Sequence, residues 1–352
     1  MERLIRRRLD NHKLLQSDLR EPAGIVGWLG AVQSQDFRGA MWALGQRASG
    51  LPSAAAIERA YDEGAILRTH VLRPTWHFVT PADIGWMLML TAPRVQRFNA
   101  PYYRQFELDP RTLSRTRSIF ARTLEGDVHL TRSELADALK RSRIEAKGIR
   151  LALLTIDAEL NQVICSGAMR GKQFTYARFD ARVPRSRTFT RDEALAELTR
   201  RYFASHGPAT MRDFAWWSGL TMSDVKAGIA LTKPEIAREV VGDLEYWTIP
   251  SDAPRRRRAS SARLLPTYDE YLIAYKDRAM VVGASRPLFR ERFAHHVVID
   301  GLLAGSWKPT VTGTGVLIDV SYYDAPTAPQ RRALERAATA YGRFVGKSAV
   351  IR

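Results

Sequence analysis

Positions 33–36 read Gln33-Ser34-Gln35-Asp36, two amides and an acid within four residues. A glutamine side chain offers a carbonyl acceptor and an NH2 donor but takes no proton at neutral pH, so the pair can orient groups while only Asp36 can act as a base. Just upstream, Ile25, Val26, Trp28, Leu29 and Val32 recur at helical spacing. On a continued helix Gln33 and Gln35 would point about 200° apart, whereas on an extended segment both leave from one face. Either the helix breaks before the pair, or one glutamine acts alone. The same break gives Asp36 a plainer task, capping the next helix or pairing with a cation.

Other reactive signatures are missing. No GxSxG elbow, Walker loop, HExxH or complete GxGxxG is present, which removes the usual hydrolase, kinase and dehydrogenase readings. His295 and His296 are adjacent, so a strand would send them to opposite faces rather than to one metal. Cys165 is the only cysteine, which excludes an internal disulfide and the common cysteine-based zinc site. No metal and no cofactor are expected. The basic amino terminus lacks the apolar core of a leader, and no apolar run approaches the roughly 20 residues of a membrane span. A cytoplasmic, nucleoid-associated location is the expectation.

Charge narrows the partner. The 352 residues carry 54 Lys and Arg against 37 Asp and Glu, a formal net charge of +17. Such an excess repels itself, and a polyanion relieves it. Nucleic acid fits better than lipid, because neither an amphipathic basic helix nor a lipidation signal is present. With 45% hydrophobic residues the chain can bury an extensive core, and its length predicts two to four domains.

The elements that must hold these residues announce themselves through capping. A Thr followed three residues later by an acid occurs at Thr80-Pro-Ala-Asp83, Thr131-Arg-Ser-Glu134, Thr190-Arg-Asp-Glu193, Thr210-Met-Arg-Asp213 and Thr221-Met-Ser-Asp224, each predicting a helix start. Between these helices, residues 66–79, 161–176 and 236–249 read as hairpins. Helix, helix, hairpin thus recurs three times, the order of a winged helix. An arginine-rich, Pro- and Ser-containing stretch at 251–261 reads as a linker. Beyond it, 295–307 and 315–323 are strand-like, and 328–345 is an amphipathic helix. The fold class is therefore α+β: tandem winged-helix domains over 1–105, 106–186 and 187–254, then a β-barrel-like domain over 262–352.

Four ordered blocks, Val32–Gly45, Thr69–Val79, His206–Gly219 and Leu264–Leu272, together resemble the winged-helix DNA glycosylases typified by AlkZ and YcaQ. The resemblance implies a curved array of winged helices and an enzyme that removes alkylated purines, including bulky or cross-linked N7-guanine adducts. The family's Gln-aliphatic-Gln motif maps onto Gln33 and Gln35. Ser34 stands where the family usually has a small apolar residue, and Gln35 rather than Asp places the chain nearer AlkZ than YcaQ. An N7-alkylguanine is already cationic and leaves without a strong acid, so the enzyme has to stabilise an oxocarbenium-like sugar and position water. Two amide carbonyls suit that task, with Asp36 as an assisting base. No motif lysine suggests a Schiff base, so hydrolysis is expected to be monofunctional and metal-free.

The expected partner is double-stranded DNA containing alkylated purines, bound by a monomer with no membrane contact. DNA contacts are expected from Arg73, Trp76 and His77 beside the motif, from Arg170 and Lys172 at a hairpin tip, and from Arg212 near a helix start. The competing reading is a non-enzymatic winged-helix DNA-binding regulator or architectural protein.

Overall fold

The computed structural model describes residues 1–184, 188–250, 260–282 and 294–352, so the arginine run of the expected linker lies outside the described residues. One element order appears three times. The first repeat runs through helix Pro22–Leu29, strand Val32–Gln33, helices Phe37–Gly45 and Ala54–Asp62, and strands Leu67–His70 and Trp76–Val79. The second has helix Pro110–Thr123, strand Leu130–Thr131, helices Arg132–Arg141 and Gly148–Leu160, and strands Ile164–Ser166 and Thr175–Arg178. In the third, helix Arg191–Ser205 leads to a bridge at Ala209, helices Met211–Ser218 and Met222–Leu231, and strands Ala237–Val241 and Leu244–Thr248. Each time the last strand is central, hydrogen-bonded to its hairpin partner on one side and to the short leading segment on the other.

Local chemistry explains these starts. Full capping boxes form at Thr131, Thr190, Thr210 and Thr221, where hydroxyl and acid each satisfy a free backbone N–H. At Thr80 the hydroxyl instead donates to Asp83, which also takes Trp86 Nε1–H and an Arg201 ion pair at 2.6 Å. Tertiary charge overrides the local cap there.

The C-terminal region is a five-stranded sheet curled into a half-barrel. Strands Ala262–Leu265, His295–Ile299, Leu302–Val311 and Gly315–Tyr322 are antiparallel neighbours, and Ser348–Ile351 joins the outer edge in parallel. The helix Ala328–Phe344 packs Leu334, Ala338 and Phe344 against it.

The first repeat is gripped from both sides. Successive residues of a strand face opposite ways, and here Val32 and Phe78 enter the core shared with the C-terminal sheet, whereas Ala31, Leu67 and Val79 enter the core shared with the third repeat. The second repeat builds a core of its own around Phe120, Leu135, Leu139 and Leu154.

Candidate active site

The helix that the apolar spacing requires does break before the glutamines. Helix Pro22–Leu29 ends at Gly30, whose φ of +81° is a conformation that only glycine adopts without strain. The chain then becomes extended, and Gln33 pairs in register with His77 of the central strand. Both glutamines engage the 73–77 segment: the Gln33 carbonyl accepts from Arg73 Nη2 at 2.9 Å, and the Gln35 carbonyl accepts from the Trp76 N–H at 3.3 Å. Gln33 is largely buried and Gln35 exposed. Asp36 has the plainer role of the two considered, since it caps helix Phe37–Gly45 by accepting from the Gly39 N–H at 3.1 Å.

A residue that sequence reasoning passed over stands directly behind Gln33. Glu270 accepts the Gln33 backbone N–H at 2.7 Å and Trp217 Nε1–H at 2.9 Å, and is 1% exposed. Burial pushes its pKa up, but His206 at 3.6 Å, Arg73 and the Gln33 amide outweigh this and hold it below the ordinary carboxylate value. It is a buried anion. The available signal was an acid placed before the apolar run Tyr271-Leu-Ile-Ala-Tyr275, a sequence that predicts burial. Neighbouring Asp269 makes a contact between regions, a buried bidentate pair with Arg47 at 2.6 and 2.8 Å. That pair ties the segment carrying Glu270 to the first repeat.

Gln33 and Arg73 line a largely apolar cavity of about 620 Å³ walled by Phe98, Trp216, Tyr268 and Ile273. Trp217 is core, as its type suggests, while Trp216 is 47% exposed on that cavity. On the other flank of the motif, Trp76 and Lys172 line a second cavity of about 460 Å³.

The remaining expected DNA contacts fare unevenly. His77 is fully buried, so its ring faces protein rather than solvent. It donates through Nδ1 to the Thr75 carbonyl at 2.8 Å, and burial together with Arg73 drives its pKa down to about 3, so it is neutral. A phosphate contact is ruled out for it in this conformation, because adjacency in sequence to Trp76 placed it on the inward side of an alternating strand. Arg73 is half-buried and occupied with Gln33 and the Trp216 carbonyl. Arg170 is exposed but pairs with Glu134 at 2.8 Å, whereas Lys172 and Arg212 are exposed. Among the described residues, no group of three His, Cys, Asp or Glu could hold a metal ion, and no helix is long and apolar enough to cross a membrane.

A mixed α+β chain of repeated helix–hairpin units, with an amide pair set between two cavities, is the framework within which the comparisons fall. The chain belongs to the AlkZ-like DNA glycosylase family, whose profile matches residues 26–344. It is 25% identical to an interstrand DNA cross-link repair glycosylase of Streptomyces sahachiroi, with 81% of each chain covered. Its fold matches the solved structure of the Streptomyces sahachiroi DNA glycosylase AlkZ with a TM-score of 0.80 at 20% identity, over 100% of this chain and 99% of that one. Family membership in a set of DNA glycosylases does not favour the regulator reading.

Proposed function

We propose that this chain is a monofunctional DNA glycosylase that hydrolyses the N-glycosidic bond of N7-alkylated purines in double-stranded DNA, with interstrand cross-links among its substrates. The observation that carries the reading is the pair of motif carbonyls. Each is fixed by one donor, Arg73 for Gln33 and the Trp76 amide for Gln35. A carbonyl oxygen has two lone pairs, so each keeps one for a ligand. The three repeats act as winged helices: each has the same strand order, and their exposed cations Lys172 and Arg212 meet backbone phosphates.

The chemistry then follows. The bond between C1′ and N9 breaks, and its electron pair neutralises the cationic purine as it departs. Positive charge appears on the sugar beside Gln33 and Gln35, whose carbonyl dipoles stabilise it, with the buried Glu270 carboxylate adding negative potential from behind. Water held by a motif carbonyl adds to C1′ and loses a proton to solvent, leaving an abasic site. The apolar cavity beside Gln33 receives the lesion. The enzyme works as a monomer and needs no metal.

The test is release of modified base from duplex DNA carrying N7-methylguanine or a nitrogen-mustard adduct. Gln33→Ala with Gln35→Ala should lower release by about 100-fold or more while DNA affinity stays within a few-fold. Chelator should change nothing, and borohydride should trap no protein–DNA adduct. Excision by the double variant at the parent rate sinks the assignment.

A further inference from the structure

We propose that the cavity between the first and second repeats is a pocket for one unmodified DNA nucleotide swung out of the duplex, distinct from the place where the alkylated base reacts. The proposal rests on the DNA reading above. At about 460 Å³ the cavity lies within the ordinary range of small-ligand sites. Its walls are the rings of Tyr61, Trp76, Phe174 and Tyr176, surfaces on which any base can stack.

The cations set what the pocket accepts. Arg68, only 7% exposed, lies with its guanidinium 4.3 Å from the Trp76 ring centre and 4.6 Å from that of Phe174. Nε and Nη2 donate to the Ser34 carbonyl at 3.2 and 3.0 Å. No protein partner among the described residues takes Nη1, which remains for a ligand. Arg132 and Lys172 stand exposed at the rim. No carboxylate lines the cavity; Glu134 is engaged by Arg170 and the Thr131 cap, and the buried Glu159, which acts on Arg68, is bonded to Thr69 and His70.

Three cations with no carboxylate in the lining attract the phosphate of a nucleotide. The cavity beside Gln33 also carries cations, Arg73, Arg94 and Arg278, but Gln33 itself lines it, whereas neither motif glutamine lines the cavity walled by Trp76. The second cavity touches the motif only through Gln35, which takes its hydrogen bond from the Trp76 N–H. A nucleotide stacked there therefore bears on the residue that anchors Gln35.

Two duplexes of equal length and sequence, one fully paired and one with a single unpaired nucleotide, separate this pocket from general DNA affinity. The full chain should bind the second about 5- to 100-fold more tightly, the span of one stacked base. Phe174→Ala and Arg132→Ala, both exposed positions, should each erase most of that preference while affinity for the paired duplex changes by no more than a few-fold. Unchanged thermal melting of the variants confirms that they fold. Equal binding of the two duplexes by the parent, or a preference that survives both substitutions, overturns the proposal. Base release by the parent, measured in parallel, reports separately on the glycosylase reading: excision without the preference defeats only the pocket, and no excision defeats the reading beneath it.

Discussion

The first and second repeats make the same turn from strand into helix in two ways. In the second, Thr131 both ends the strand and caps the helix, pairing in register with Thr175. In the first, Gln33 occupies the corresponding register position opposite His77, yet the cap falls three residues later, at Asp36. The extra residues are those of the Gln33–Gln35 motif. In the second repeat the side chain at the strand end is consumed by the fold, satisfying its own helix. Delaying the cap releases Gln33 and Gln35 from that duty, and their carbonyls reach Arg73 and the Trp76 amide instead. The first repeat carries its candidate site where it departs from the local rule its copies obey, and the departure is held in place from outside, by Glu270 and the Arg47–Asp269 pair.

That dependence gives the largest expected effect. Asp269→Ala leaves the Arg47 guanidinium buried without its acid, which costs about 3–5 kcal/mol. Urea unfolding should show the loss, and hydrogen exchange should locate it: amides of 67–79 lose protection well before those of 164–178, because the second repeat keeps its own core. Equal loss in both hairpins would show that the first repeat needs no outside support.

Acid sharpens the same contrast. His77 is held neutral, with its pKa lowered from 6.5 to about 3. The unfolded chain binds this proton below pH 6.5 and the folded chain does not, so the stabilisation is complete above that pH and declines as pH falls from 6.5 towards 3. At pH 5 the loss from His77 is about 2 kcal/mol. Buried His12 and His206 act in the same direction, each lowered first by burial. Within the second repeat the sole histidine, His129, is half-buried; burial lowers its pKa too, and its Nδ1 accepts the Ala168 N–H. Exchange protection in the first repeat should therefore weaken more between pH 7 and 5 than that of 164–178, and a uniform response would refute the assignment.

Much of this was readable in the residues. The three hairpins and the capping boxes at Thr131, Thr190, Thr210 and Thr221 rest on chemistry spanning a few positions, which a single sequence displays in full. Two side chains set two apart left two outcomes, a break before Gln33 or one glutamine acting alone, and the chain takes the break. What escaped is long-range. Glu270 gains its meaning from an N–H 237 positions away, and His77 from the face on which its strand turns. Asp83, a cap by its local pattern, answers to Arg201. A sequence advertises contacts within a turn, whereas a buried charge is interpretable only once its partner is known.

The smallest effect belongs to Asp36, and it decides what the extra residues are for. Asparagine caps a helix about as well as aspartate, so Asp36→Asn preserves the bond to the Gly39 N–H while removing the one side chain of the motif able to take a proton. If the delayed cap serves only to free the two glutamines, base release should stay within about twofold of the parent, and Asp36→Ala should cost about 1 kcal/mol of stability. A loss of 100-fold or more in Asp36→Asn, with melting unchanged, would instead make Asp36 the base that activates water. The departure from the second repeat would then supply a proton acceptor as well as two carbonyls, and amides alone would not account for the site.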